Sequence, residues 1–258
     1  MFGKHFYHQR TRRAVAMFGR LFNDIYVIRK DSTGQIHSQM KVPLSYATRD
    51  KTLVRINEQA DLVEGQRVAI KLPRMSFEIT GVAYDAARAL QKVNQYGKSG
   101  TANTKRTKIK QYVPYIMNFQ LNVFAKTQDD ALQVVEQIIP YFSPQYTLTL
   151  KPFDDYTDIK EDVPVTLTGV TFSDDYEGAM ETRRTIIYTM DFEMKVNFYG
   201  PLNEGDIIRK TTLKLDTKTA SIADSDVATI TITPSPVNVS PDSDYGFTIT
   251  TDYYNDSA

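Results

Sequence analysis

The chain has no cysteine and no tryptophan among its 258 residues. Without a thiol there is no disulfide framework, no thiolate nucleophile, no zinc ribbon and no iron–sulfur cluster. Histidine is almost absent: His5, His8 and His37 are the whole supply, and a histidine-based triad would have to draw on the first 37 residues. His5 and His8 stand three apart with no further ligand beside them, so the sequence names no metal site. No apolar run approaches the length of a bilayer span, and no membrane partner is expected. The opening MFGKHFYHQRTRR lacks the apolar core of a secretory leader and reads as mature protein. The signatures GxSxG, HExxH, the dinucleotide fingerprint and the EF-hand loop are all missing. Gly97-Lys98-Ser99 resembles the end of a phosphate loop, but the earlier glycine that loop needs is Lys92. We therefore expect no catalytic residue, no cofactor and no enzymatic activity.

What is present belongs to a foldable chain. Aromatics make up 11% of it, with 16 Tyr and 13 Phe, and the length suits one large domain or two small ones. Net charge is zero, from 31 Lys and Arg against 31 Asp and Glu, but the signs are segregated. Residues 1–30 carry seven bases and one acid, and residues 88–110 carry seven bases and no acid. Residues 127–193 carry fourteen acids and four bases, and residues 219–258 carry six Asp and no base. Such blocks suit head-to-tail contact, where a positive patch of one chain meets a negative patch of another.

Periodicity predicts the elements. Val15, Phe18, Leu21, Phe22 and Ile25 form one helical stripe over residues 9–25. Two strands, 25–30 and 36–44, flank a glycine-containing link and read as a hairpin. Residues 74–84 alternate as a strand and slip register at Gly81, which predicts a bulge. Residues 115–123 alternate cleanly. Thr127 and the Asp129-Asp130 pair then open a helix that Pro140 ends, and a strand over 145–150 follows. That strand–helix–strand run is long enough for a crossover unit. Residues 163–172 and 186–198 are further strands, the second about 43 Å long at ~3.3 Å per residue. One face of it meets a core and the other meets solvent or another subunit.

The expected fold is α+β, with a mixed or largely antiparallel sheet flanked by helices. Its core is placed in residues 1–205, with 86–112 as an exposed basic loop. Residues 206–258 form a Ser/Thr/Asp-rich extension that orders against a partner. The acidic pairs Asp154-Asp155 and Asp174-Asp175 are expected in turns.

Ordered blocks carry a family resemblance. They are Met1-Phe2-Gly3, Arg12-Arg13, Leu21-Phe22, Val42-Pro43-Leu44-Ser45-Tyr46-Ala47 and Leu72-Pro73-Arg74. The longest is Asp129-Asp130 followed by Gln133-Val134-Val135-Glu136-Gln137-Ile138-Ile139-Pro140-Tyr141-Phe142. Arg183-Arg184, Phe192-Glu193 and Tyr199-Gly200-Pro201 close the series. In this order the chain resembles the tail sheath stabiliser and completion proteins of T4-like contractile-tailed phages, the tail terminators, over roughly residues 1–215.

The resemblance implies a structural virion protein that forms a hexameric ring at the head-proximal end of the tail. Its implied partners are the tail sheath protein, the tail tube protein and the neck and head-completion proteins. Such a ring stops tube and sheath growth, holds the sheath extended and offers the neck a platform. Genome DNA passes through its lumen without sequence-specific binding, and assembly takes place in the host cytoplasm. Charge and exposure then suggest the interfaces. Arg10, Arg12 and Arg13 face a partner subunit or the neck. Lys105, Arg106, Lys108 and Lys110 face the lumen or a tail protein. Asp154, Asp155, Asp174 and Asp175 offer the acidic counter-surface. The alternative is a nucleic-acid-binding module built on residues 98–110, with steep salt-dependent affinity for DNA. The neutral total charge and the absence of an aromatic between Lys98 and Lys110 count against it.

Overall fold

A computed structural model describes residues 5–31, 34–58, 72–99, 104–154, 156, 158–176, 184–217 and 225–253. In chain order these form α1 (Arg10–Leu21), β1 (Tyr26–Lys30), β2 (Ile36–Lys41), β3 (Leu44–Tyr46) and α2 (Arg49–Glu58). There follow β4 (Arg74–Tyr84), β5 (Gln95–Ser99), β6 (Lys105–Lys110), β7 (Val113–Ala125) and α3 (Gln128–Ile138). The remainder is β8 (Gln145–Leu150), β9 (Glu161–Tyr176), β10 (Arg184–Phe198), β11 (Asn203–Asp206), β12 (Thr211–Thr217), β13 (Ser225–Ser235) and β14 (Gly246–Tyr253).

The expectation of an α+β fold flanked by helices is corrected. The described residues hold fourteen strands in four sheets and only three α-helices. The helical stripes are prominent in the sequence because they are rich in Phe, Leu and Val. Several strands instead lie in Thr-rich or Lys-rich stretches with little apolar bulk, where strand alternation is faint. Residues 86–112, read as a loop, contain β5 and β6. Residues 206–258 contain β12, β13 and β14.

The chain divides into two compact units. The larger comprises Tyr7–Ala89 and Val113–Phe198. Its sheet runs in the order β3-β4-β7-β10-β9-β8. The β3–β4 pair is parallel and every other pair antiparallel. Two antiparallel steps beyond β10 leave β8 antiparallel to β7, so α3 does not make a parallel crossover. The parallel pair instead brackets α2. Strand β4 slips register between Ile79 and Gly81, at the predicted bulge.

Alternation places Met117, Phe119, Leu121 and Val123 of β7 beside Met194, Phe192, Met190 and Tyr188 of β10 on one face. Helix α1 lays Phe18 into the middle of it. The Phe18 ring stacks on Phe119 at 4.4 Å and 11° and meets Phe77 at 5.4 Å and Phe192 at 5.3 Å. These aromatics, with Phe22 and Phe142, make the centre of the core.

Helix α3 has two jobs. Val134, Val135 and Ile138 enter the core. Asp130, Gln133 and Gln137 line up at helical spacing and serve β1. The Gln133 side chain accepts from Ile28 N at 3.0 Å, and Gln137 donates to Tyr26 O at 2.8 Å. An edge strand's backbone groups are thereby satisfied by side chains instead of a neighbouring strand.

The smaller unit comprises Met1–Phe6, Leu90–Tyr112 and Tyr199–Ala258. It holds two three-stranded sheets, β11-β6-β5 and β12-β13-β14, both antiparallel throughout.

Candidate interaction surfaces

The three N-terminal arginines have three different environments. Arg10 is 4% exposed, ion-paired with Glu161, and donates from Nε to Asn197 O at 2.9 Å. Burial pushes the Glu161 carboxyl up, against the pull of Arg10. Arg10 thus ties α1 to the start of β9 and the end of β10, and its charge is spent inside the chain. Arg13 donates to Lys151 O at 2.7 Å and is ion-paired with Asp154. The structure therefore joins a predicted cationic site and a predicted acidic site within one chain. Arg12 is exposed.

The acidic set is likewise divided. Asp154 remains solvent-accessible beside Arg13. Asp155 lies outside the described residues. Asp174 and Asp175 do not form a turn: they continue β9, opposite Ile186 and Thr185 of β10.

The basic stretch is a strand, and the strand period sorts its cations. Arg106, Lys108 and Lys110 share one exposed face of β6, while Thr107 and Ile109 turn to the buried face. Lys105 turns toward Glu204, 3.8 Å away. Arg106 lies over Gly97, where any added Cβ would come within 2.7 Å of its Nε. The acidic loop before β14 docks on this sheet. Asp242 accepts from Ser99 N at 2.8 Å and from the Ser99 hydroxyl. Those bonds, with Arg106 and Lys98 nearby, hold the Asp242 carboxyl below the usual carboxylate range.

Two features escaped sequence reasoning. One is the ion pair of Arg29 with Asp130, whose carboxylate is buried and contacted at 2.6 and 3.1 Å. The Arg29 guanidinium, then the Thr127 bond, hold Asp130 below the ordinary range against the upward push of burial. The Asp129-Asp130 cap signal pointed to this position without revealing the partner. The other is an aromatic cleft of about 520 Å³ in the larger unit, lined by Phe22, Ile25, Tyr141, Phe142 and Tyr146 with Asp24 and Glu136 at its rim. Asp24 is engaged by Lys41 at 2.8 Å. No histidine lines this cleft. Among the described residues no group of three or more His, Cys, Asp or Glu could hold a metal ion.

These surfaces are charged strands and apolar faces, the material of protein–protein contact. Residues 5–257 match the family described as T4-like virus Myoviridae tail sheath stabiliser. The chain belongs to this family. It is also 28% identical over 218 residues to the tail completion protein gp15 of Enterobacteria phage T4, covering 82% of this chain and 78% of that protein. This tail sheath stabiliser is thus a structural virion protein of a contractile-tailed phage, located in the tail. The match reaches through β12, β13 and β14, so the family pattern includes the C-terminal sheet that composition alone had set aside as an extension.

Proposed function

We propose that the protein is the tail terminator: a non-enzymatic hexameric ring at the head-proximal end of the tail. The ring caps the last tube and sheath rings, ends their polymerisation, holds the sheath extended and carries the neck and head-completion proteins. It is assembled in the host cytoplasm, and genome DNA passes through its lumen without sequence readout. The observation that carries this reading is the family match along nearly the whole chain, joined by the similarity to a T4 tail completion protein. The exposed face of β6 supports it. Arg106, Lys108 and Lys110 alternate outward on a rigid strand, so their positive potential is fixed in direction, suiting a lumen wall or an acidic tail protein. Arg12 is the exposed N-terminal cation assigned to the neck or a partner subunit. Asp154, Asp174 and Asp175 are assigned to the acidic counter-surface.

Light scattering on the purified protein tests the ring, with a species near six chains of 29.4 kDa as the expected result. Co-sedimentation with tubes and extended sheath tests the termination role. Reversal of Arg106, Lys108 and Lys110 to Glu should weaken that association and flatten its salt dependence. Unchanged binding by the reversed protein would remove β6 from the interface. Failure of the wild-type protein to bind tails would overturn the terminator reading itself.

A further inference from the structure

The β12-β13-β14 sheet has two faces of opposite character. Directly paired residues share a face, so Leu213 stands beside Ile230, Ile232 beside Ile249 and Pro234 beside Phe247. That face is apolar and its outer strands are open to solvent: Phe247 is 68% exposed, Ile249 64% and Leu213 52%, whereas Pro234 of the central strand is buried. The other face is largely threonine. An open apolar sheet face of this kind marks an interaction site.

The two outer edges of the sheet differ in charge. Among the described residues neither β12 nor β14 pairs on its outer side. Residues 209–215, which lead into and run along β12, hold three bases (Arg209, Lys210, Lys214) and no acid, a balance of +3. Residues 240–253, which lead into and cross β14, hold Asp242, Asp244 and Asp252 with no base, a balance of −3. Two β12 edges therefore repel, and two β14 edges repel. Only the unlike pairing brings opposite charges together. Direction agrees as well. Both edges are antiparallel to β13, so they run the same way. A rotation that carries this sheet from copy to copy lays β14 of one copy parallel to β12 of the next. It also keeps the apolar face on one side all round.

We infer that β14 of each chain pairs in parallel with β12 of a second copy of this chain, a heterologous contact that can close into a ring. The inference deepens the terminator reading and rests on it only for closure. The contact brings Asp244, which precedes β14, to Lys210, which precedes β12. It aligns Leu213 and Leu215 with Phe247 and Ile249 in one apolar belt.

The absence of cysteine allows a direct test. Thr212→Cys in β12 and Thr248→Cys in β14 are made as separate full-length proteins, mixed, and treated with a short bis-maleimide, alone and on tails. The expected result is a covalent dimer in the mixture, with neither protein linking to itself. Separately, Lys210→Asp or Asp244→Lys alone should weaken self-association by about tenfold, and the two together should restore it. No cross-link in either setting overturns the edge pairing. If the wild-type mass is then still that of a ring, the ring stands and its contact lies elsewhere. A wild-type protein that neither cross-links, self-associates nor binds tails sinks both readings.

Discussion

At the scale of single residues, two positions set local rules against global packing. Gly19 sits inside α1, where alanine would ordinarily gain about 1 kcal/mol of helix propensity. An added Cβ there would come 2.9 Å from Cζ of Phe77, whose ring is buried against Phe18 and cannot swing away. Overpacking of this kind costs about 1–3 kcal/mol, so packing wins. Gly19→Ala should destabilise the protein by about 1 kcal/mol, measured by denaturant unfolding, and a stabilised variant would show that the core yields. Asp130 is the second position. Its carboxyl is held below its unfolded value by Arg29, so folding favours the charged form. Its contribution is complete above the unfolded carboxylate range and is lost as pH falls through the depressed folded value. Arg29 is half exposed, so solvent screening limits the gain. Asp130→Asn should lower stability at neutral pH by about 1–2 kcal/mol and lose that difference in strong acid. An unchanged gap between the two proteins in acid would dissociate Asp130 from the effect.

At the scale of elements, legibility followed apolar bulk. Helices α1 and α3, the β1–β2 hairpin and the long strands β7, β9 and β10 are readable because each repeats large apolar residues at its own period, and the bulge in β4 is readable where that period slips at Gly81. Strand β6 was missed because its inward residues are only Thr107 and Ile109 among cations. Strands β13 and β14 are faint in the sequence because threonine supplies their alternation. Among the candidate sites, sequence grouped Lys105, Arg106, Lys108 and Lys110 as one basic set; the strand turns three of them outward and sends Lys105 to Glu204. Arg10 looked like surface charge because nothing in its neighbourhood reveals Glu161, 151 residues away. The Thr127 cap was legible, and its hydroxyl does accept from Asp130 N. Thr127→Ala should cost about 1 kcal/mol. Because α3 carries the side chains that satisfy β1, hydrogen exchange at Ile28 should quicken in that variant, and an unaffected β1 would show that the hairpin holds without the helix.

At the scale of the whole molecule, the order of elements separates folding from assembly. The smaller unit is assembled from residues 1–6, 90–112 and 199–258, so two of its three pieces interrupt or follow the strands of the larger unit. Tyr84 pairs with Tyr115, and Asp85 N donates to Pro114 O at 3.1 Å, so β4 and β7 already meet at the splice. Arg88 fastens that base, donating to Tyr115 O and Asn197 Oδ1, both at 3.2 Å. The aromatic core around Phe18 lies wholly within the larger unit. A chain of residues 7–89 joined to 113–198 by a short Asn-Gly turn should therefore fold and unfold cooperatively, since a short turn can replace a long connection between antiparallel strands already in contact. The excised chain lacks β6, β12 and β14, so it should remain monomeric and fail to sediment with tails. Calorimetry and light scattering on one sample decide both halves. A broad, non-cooperative transition would show that the larger core depends on the smaller unit. Retained self-association would move the subunit contact away from the C-terminal sheet and onto the larger unit.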